Sequence, residues 1–402
     1  MPDPVRDNAL AKPRLRPIEA IPVEDGRIAL RDPAGYSEQV LAVTRPMAFL
    51  LQFFDGEHSF DRIAAKGKEA LGQAIPLSDL RAAAVALDEA GFLDSPSFRK
   101  RKGALEREFR TRKTRAPFHA GRSYPASASA FRDFHRDLLG NGAPAGDAGA
   151  IRAAIAPHIE ISLGKDAYAA VYRRLRGAER PGRVVILGTS HMGLEHAFAL
   201  TLKPYETPLG TLPADGAVVD RLVAACGEGV LQDEIRHRTE HTIEFQAVLL
   251  HGLWSDAPPR IVPVLCGFSH AELHGERERK IARFAEALAE AVSDGVPTLF
   301  LASVDFAHIG PRYGDPRGPT SKDLDDLRRH EAGMSALLAR RDAEGFHRAI
   351  AQTQDGTRVC GFPALYTMLR TLREGTGEPV AYGQAKMDDQ GSVVSFGGMV
   401  YR

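Results

Sequence analysis

The residues best suited to chemistry in this 402-residue chain stand just behind short apolar segments. His158 follows IRAAIAP, His191 follows RVVILGTS, and the segment TLFLASVDFAH carries Asp305 and His308 at its end. Each apolar segment predicts a buried β-strand, and in open α/β sheets ligands bind beyond the carboxyl ends of the strands. Imidazole is a common ligand of transition metals. The spacing therefore predicts one pocket, at the strand ends, that holds a metal ion.

A lone cysteine far downstream, Cys360, adds a thiol that could bind the same ion. The sequence Asp355-Gly356-Thr357 is typical of a turn, and Pro363 suits the first turn of a helix. A thiol at a helix start feels the positive end of the helix dipole, which predicts a lowered pKa and a thiolate. Cys226 and Cys266 lie in apolar segments and are predicted to be inert core residues.

A histidine flanked by two carboxylates, His241, lies at the predicted start of a helix in the segment TEHTIEFQ. Glu244 could share one helix face with it, whereas Glu240 is equally typical of a solvated helix start. A histidine beside a metal ion has a pKa suited to general acid–base catalysis. Asp305 and His308 could orient a ligand, accept a proton or bind the substrate. His241, Asp305 and His308 are therefore the predicted catalytic residues.

From Arg115 onward the sequence alternates between strand-like and helix-like segments. This alternation predicts βαβ units, hence an α/β domain with a mostly parallel sheet covered by helices on both faces. The C-terminal segment SVVSFGGMVYR predicts a last strand, antiparallel at one edge. The predicted strands are 151–156, 183–188, 260–265, 298–304 and 393–400, and the predicted helices are 165–176, 216–226, 240–253, 278–292 and 331–340.

The first part of the chain predicts a smaller, separate domain. Residues 1–20 lack periodicity and are predicted to form a tail, and residues 21–97 are predicted to form a mainly helical domain. Their spacing resembles that of PqqD-like and winged-helix domains. Residues 98–115 hold nine Lys or Arg against two Glu, which predicts a basic linker or solvated helix. The rest, 116–402, is the predicted metal-binding domain.

Composition narrows the function further. The 52 basic side chains balance 52 acidic ones, so no net field favours nucleic acid or an anionic membrane. No apolar run reaches the roughly 20 residues that span a bilayer, and the N-terminus lacks the apolar stretch of a secretory signal. Three cysteines without close spacing are typical of a reducing compartment. We therefore expect a cytoplasmic protein that does not bind nucleic acid.

Six motifs in residues 116–402 resemble the Memo family, also called AmmeMemoRadiSam system protein B. This family is similar in fold to the class III extradiol dioxygenases, whose non-haem iron is held by two His and a carboxylate. In the Memo family a Cys replaces that carboxylate. The resemblance thus implies His158, His191 and Cys360 as metal ligands, with His241 and the Asp305–His308 segment lining the same pocket. The motifs are HAGRSYPAS (119–127), IAPHIEIS (155–162), ILGTSHMG (186–193), TEHTIEFQ (239–246), SVDFAHIGPRYG (303–314) and VCGFPALYTML (359–369).

The resemblance implies one metal ion, iron or copper before zinc, and redox or oxygen chemistry on a small molecule or peptide. Two alternatives stay open: a non-catalytic binding or scaffold protein, and a zinc hydrolase with His241 as proton shuttle. Family context implies a radical-SAM enzyme and an AMMECR-like protein as partners. The chain departs from the family at Ile159, Glu160 and Met192, and Glu160 adds a carboxylate near the predicted pocket.

Overall fold

The computed structural model describes residues 10–23, 26–72, 75–140 and 149–402. The chain divides into two structural units, Met1–Thr111 and Arg112–Arg402. Residues 1–9 of the predicted tail lie outside the described part, whereas Leu10 is buried in the first unit. Among the described residues, no helix is both long and apolar enough to cross a membrane.

The first unit contains an antiparallel three-stranded sheet as well as helices, so the prediction of a mainly helical domain is wrong. Each strand is only four residues long and partly exposed, and such strands leave little apolar alternation in the sequence. Residues 98–111 of the basic segment belong to the last helix of the unit. The elements are β1 (Glu19–Pro22), β2 (Ile28–Arg31), β3 (Val40–Val43), α1 (Arg45–Leu51), α2 (Phe60–Leu71), α3 (Leu77–Glu89) and α4 (Pro96–Thr111).

The second unit is built on an eight-stranded mixed sheet. Its strands are β4 (Ala153–Ala156), β5 (Arg183–Thr189), β6 (Phe198–Leu200), β9 (Arg260–Cys266), β10 (Thr298–Ser303), β11 (His308–Ile309), β12 (Gly377–Lys386) and β13 (Val393–Tyr401). The order is β11-β13-β4-β10-β5-β9-β6, and β12 also pairs with β13. The four central strands β4, β10, β5 and β9 run parallel, and the flanking pairs are antiparallel. A largely parallel sheet is thus confirmed, although β13 is antiparallel inside the sheet, not at its edge.

Helices pack on both faces of this sheet, because alternate strand residues point to opposite sides. Val184 and Ile186 contribute to one apolar core, whereas Val185 and Leu187 contribute to the other. The remaining elements are β7 (Tyr205–Thr207), β8 (Gly210–Leu212), α5 (Ala128–Leu139), α6 (Lys165–Gly177), α7 (Gly216–Cys226), α8 (Gly229–Gln232), α9 (His241–Leu253), α10 (Gly275–Ala291), α11 (Ser321–Ala339), α12 (Ala343–Gln352) and α13 (Phe362–Thr371). Helices α6 and α9 cover the first core, and α7, α10 and α13 cover the second.

Candidate metal centre

The carboxyl ends of three neighbouring parallel strands place three of the predicted site residues. His158, His191 and Asp305 each stand two positions beyond the last residue of β4, β5 and β10, respectively. These strands are adjacent in the order β4-β10-β5, so their carboxyl ends meet at one edge of the sheet. The parallel pairing therefore brings side chains from distant parts of the sequence to one place.

Three imidazoles meet at this edge: those of His158, His191 and His241. One ligand atom of each lies within 4.8 Å of the others. The ring centroids of His158 and His191 are 5.0 Å apart, and those of His191 and His241 are 4.9 Å apart. This arrangement can hold a metal ion, and His241, predicted as an acid or base, is part of it.

Acceptor oxygens close to Nδ1 of each ring determine which nitrogen faces the site. The Nδ1 atom of His158 lies 2.9 Å from the carbonyl oxygen of Ser303. The Nδ1 atoms of His191 and His241 each lie 3.1 Å from Oε1 of Glu240. Because carbonyl and carboxylate oxygens only accept hydrogen bonds, Nδ1 carries the hydrogen in each ring. When each ring is in its neutral form, Nε2 is the nitrogen with a free lone pair for a metal ion, so the donors fit one. Burial by itself would lower the pKa of His191, but the Glu240 carboxylate and Cys360 raise it well above its usual value, so a metal ion would displace a proton from this ring.

Cys360 reaches the same group of atoms from the loop before α13. Its Sγ lies 3.2 Å from Nε2 of His158 and 3.7 Å from the carbonyl oxygen of Asp305. The loop passes close to the end of β10, since a Cβ added to Gly361 would lie 2.5 Å from Cβ of Val304. Glycine at this position therefore permits the approach that brings the thiol to the imidazoles.

The predicted lowering of the Cys360 pKa is wrong. Burial raises the pKa of the thiol, and the neighbouring His191 imidazole offsets this only in part. The helix α13 begins after Gly361, its N-cap, so Cys360 lies just outside the first turn. The loss of water around the thiol thus raises its pKa by more than the helix dipole could lower it. A cation in the site would favour the thiolate.

Asp305 is a buried carboxyl held against the His158 loop. Its Oδ1 accepts hydrogen bonds from the backbone N–H groups of His158 (3.0 Å) and Ile159 (3.1 Å). Its Oδ2 lies 3.6 Å from Nε2 of His158. Burial raises the pKa of Asp305 to about 7 in spite of these hydrogen bonds. This carboxyl can therefore gain or lose a proton near neutral pH, directly beside the imidazole group.

His308 stands nearby, in the short strand β11. Its Nδ1 lies 3.1 Å from the carbonyl oxygens of both Phe306 and Arg358. Burial, together with the neighbouring His191, lowers the pKa of His308 to about 4. The ring is thus neutral at pH 7. Tyr313, which the sequence analysis did not single out although it lies in the same motif, packs edge-on against it at 5.1 Å.

Glu244 has a structural role that the sequence did not suggest. Its carboxylate is fully buried, forms an ion pair with Arg115, and accepts hydrogen bonds from the backbone N–H groups of Phe118 and His119. The His119 ring in turn packs 5.8 Å from that of His241. Glu244 therefore anchors the segment before α5 beneath the site, and His119 is a neighbour of the site that sequence reasoning missed.

Glu160, the carboxylate that departs from the family pattern, accepts a hydrogen bond from Oγ of Ser123 at 2.8 Å. Among the described residues, Glu160 is not part of the group of side chains that could hold a metal ion. Glu240 is the carboxylate that contacts them instead, although its sequence context was equally typical of a solvated helix start.

Known proteins with similar sequences share this region. Residues 115–400 match the family described as Memo-like protein, which takes in every residue of the site. A MEMO1 family protein of Aquifex aeolicus (strain VF5) is 26% identical over 395 residues, covering 97% of this chain and 100% of that protein. A MEMO1 family protein of Thermus thermophilus is 28% identical over 316 residues, covering 77% and 89%, respectively. An uncharacterized protein of Escherichia coli K12 has a solved structure with 14% identity and a TM-score of 0.39, covering 62% of this chain and 99% of that one.

Proposed function

We propose, from the premise that this chain belongs to the Memo family, that it is a metal-dependent redox enzyme acting on a small molecule or peptide. One observation carries the proposal: three imidazoles and a thiol converge beside the carboxyl ends of adjacent parallel strands. A pocket that only bound a peptide would not require such a set of soft and borderline donors.

The residues that would hold the ion are His158, His191 and Cys360, the set implied by the resemblance, with His241 as a further nitrogen donor. Iron or copper, when bound, would supply one-electron and oxygen chemistry. Asp305, with a pKa raised by burial to about 7, is suited to take a proton from the substrate or return it. His308 is neutral and can accept a hydrogen bond through Nε2, because its Nδ1 is committed to backbone carbonyl oxygens.

A zinc hydrolase is the second candidate, because three imidazoles also form the donor set of catalytic zinc sites. In that case Asp305 would serve as the general base. The two candidates differ in the metal that the site selects and in its redox activity, and both differ from a binding protein in requiring metal.

The test begins with anaerobic purification and titration of the parent with Fe(II), Cu(I) and Zn(II). We expect one equivalent of iron or copper to bind, and the loaded protein to take up O₂ in the presence of a reductant. His158→Gln should lose the metal, whereas Asp305→Asn should keep it and lose turnover. Glu160→Gln, which removes a carboxylate outside the imidazole group, is the control.

Selective binding of zinc without O₂ uptake would replace the proposal by the hydrolase. A parent protein that binds none of the three ions would overturn both and favour the binding protein. Metal content that is the same in the parent and in His158→Gln would mean that the ion binds elsewhere.

A further inference from the structure

One buried carboxylate, that of Glu240, contacts two of the three imidazoles. Its Oε1 lies 3.1 Å from Nδ1 of His191 and 3.1 Å from Nδ1 of His241. Its Oε2 accepts a hydrogen bond from the backbone N–H of His191 at 2.9 Å. The residue is only 5% exposed, so these contacts face little competition from water.

We propose that Glu240 is the positioning residue of the metal centre and sets the tautomer of both rings at once. An acceptor at Nδ1 keeps the hydrogen there and leaves Nε2 of each ring unprotonated, as a metal ligand requires. His158 obtains the same tautomer independently, from the carbonyl oxygen of Ser303. That this arrangement serves metal binding rests on the proposed function, whereas the contacts of Glu240 with His191 and His241 do not.

The fold holds this carboxylate in place from two sides. Glu240 is the N-cap of α9, and its Oε1 also accepts from the backbone N–H groups of His241 (3.0 Å) and Thr242 (3.3 Å). The helix start is pressed against the end of β5, since a Cβ added to Gly188 would lie 2.5 Å from Oγ1 of Thr242. Oγ1 of Thr242 in turn donates to the carbonyl oxygen of Thr189 at 3.0 Å. Helix capping and ring orientation are therefore performed by one side chain.

The charge of Glu240 supports the same role. The Glu240 carboxylate lies within ion-pair distance of both imidazoles, at 3.1 Å from each Nδ1. A negative charge next to two imidazoles makes them stronger donors and balances part of the charge of a cation. A neutral amide of the same shape would provide neither.

Replacement by glutamine shows why the effect is specific. In Glu240→Gln one oxygen can still accept, but the amide nitrogen can only donate at its position. It must then face either the backbone N–H of His191 or the Nδ1 atoms of the rings. In the first arrangement the amide N–H faces the backbone N–H of His191, and the rings keep only a neutral oxygen, a weaker acceptor that no longer holds the hydrogen at Nδ1 as firmly. The second arrangement forces hydrogen onto Nε2, where it blocks the ligand position.

The test uses the full-length, metal-free protein, labelled with ¹⁵N at the imidazoles. Nitrogen chemical shifts report the tautomer of a ring only in its neutral form, so the spectra are recorded as the pH is raised until the rings are neutral. The neutral rings of His158, His191 and His241 in the parent should all carry their hydrogen at Nδ1. In Glu240→Gln we expect His191 and His241 to change tautomer population while His158 stays as it is. Glu160→Gln, the matched control, should leave all three unchanged.

The second measurement is the metal dissociation constant, which should rise roughly 10- to 100-fold in Glu240→Gln and not in Glu160→Gln. Glu240→Asp keeps the charge but shortens the arm, and should also weaken binding, because one carboxylate can then no longer reach both rings. If Glu240→Gln does not fold, Glu240→Asp is used for both measurements.

Unchanged tautomers in both Glu240 variants would overturn the inference, whatever the metal affinity. Altered tautomers in a protein whose parent binds no metal would instead leave the role of Glu240 in place and overturn the proposed function. Weakened metal binding without any change in tautomer would also count against Glu240 as the residue that sets the rings.

Discussion

The Sγ atom of Cys360 lies 3.2 Å from Nε2 of His158, although 202 positions separate the two residues in the sequence. A thiolate and an imidazole bound to one tetrahedral ion, at about 2.3 and 2.0 Å, lie about 3.5 Å apart. The two atoms are thus already at the separation that a shared ion requires. This relationship supports Cys360 as a ligand and leads to the first prediction.

Cys360→Ser should leave the fold intact but weaken the binding of copper or iron by more than the roughly 10- to 100-fold cost of losing an outer partner. A hydroxyl is a poor donor that stays protonated. Cys360→Asp should recover part of the affinity for iron, because it recreates two His and a carboxylate. Anaerobic titration of each variant with Fe(II), Cu(I) and Zn(II) measures both effects. If Cys360→Ser binds all three ions like the parent, the thiol is structural.

The cysteine control is Cys226→Ser. Cys226 is a half-buried thiol at the end of α7, and burial raises its pKa. We expect unchanged metal content and a small change in stability, since this thiol packs against the second apolar core. A loss of metal equal to that of Cys360→Ser would show that the loss reflects global damage.

Gly361→Ala should displace Cys360 from the imidazoles. The added Cβ would lie 2.5 Å from Cβ of Val304 and 2.7 Å from the carbonyl oxygen of Asp305, so the loop must move outward. We expect a destabilisation of about 1–3 kcal/mol, typical of overpacking, together with weaker metal binding. Gly333→Ala, in α11 with no atom within 4 Å of the new Cβ, is the control and should be neutral or slightly stabilising. Equal effects of the two substitutions would contradict the close approach.

Glu244→Gln should destabilise the metal-free protein by about 3–5 kcal/mol, because it leaves the buried guanidinium of Arg115 without its counter-charge. Urea denaturation measures the free energy of unfolding. Asp133→Asn, which breaks an exposed ion pair with Arg136, is the control and should change stability little. A similarly small effect of Glu244→Gln would mean that water or a rearrangement compensates Arg115.

The same ion pair predicts a pH dependence. Burial would raise the pKa of Glu244, but Arg115 and the hydrogen bonds around it bring that pKa below the ordinary 4.5. A lowered pKa in the folded state contributes stability above the unfolded pKa, and this contribution disappears as the pH falls through the folded one. The stability difference between the parent and Glu244→Gln should therefore be constant near neutrality and shrink below about pH 4.5. A difference that grew on acidification would contradict this sign.

Deletion of Met1–Thr111 should leave the metal stoichiometry unchanged. All the gathered imidazoles and Cys360 belong to the second unit, which forms its own sheet and two apolar cores. Metal analysis of the folded truncated chain, checked by circular dichroism, tests this. A folded truncated chain without metal would show that the first unit takes part in binding.

Much of the second unit could be predicted from the sequence because its central strands are buried on both faces. Continuous apolar segments gave the five predicted strands with bounds within two residues of β4, β5, β9, β10 and β13. Edge elements carry no such pattern. Strand β12 is partly exposed along its whole length, and the first half of α11 is almost entirely polar, so the sequence predicted neither.

Site residues could be predicted from the sequence only where they directly follow the end of a strand. His158 and His191 follow directly from strand ends. The contacts of Glu240 with the rings of His191 and His241 depend on how closely α9 packs against β5. No local sequence pattern predicts that packing. The raised pKa of Cys360 likewise depends on burial by distant chain segments, which the helix start alone did not reveal.

The strand order β4-β10-β5 has a consequence for how the protein is made. The strand β10 inserts between two strands that precede it by more than a hundred residues, so β4 and β5 cannot pair through it until β10 has been synthesised. Such non-local parallel pairing is slow, because a long loop must close before its contacts form. His158 and His191 also leave the ribosome before their neighbours His241 and Cys360. A nascent chain therefore offers only scattered single donors, and the three imidazoles and the thiol come together only once the central sheet has formed.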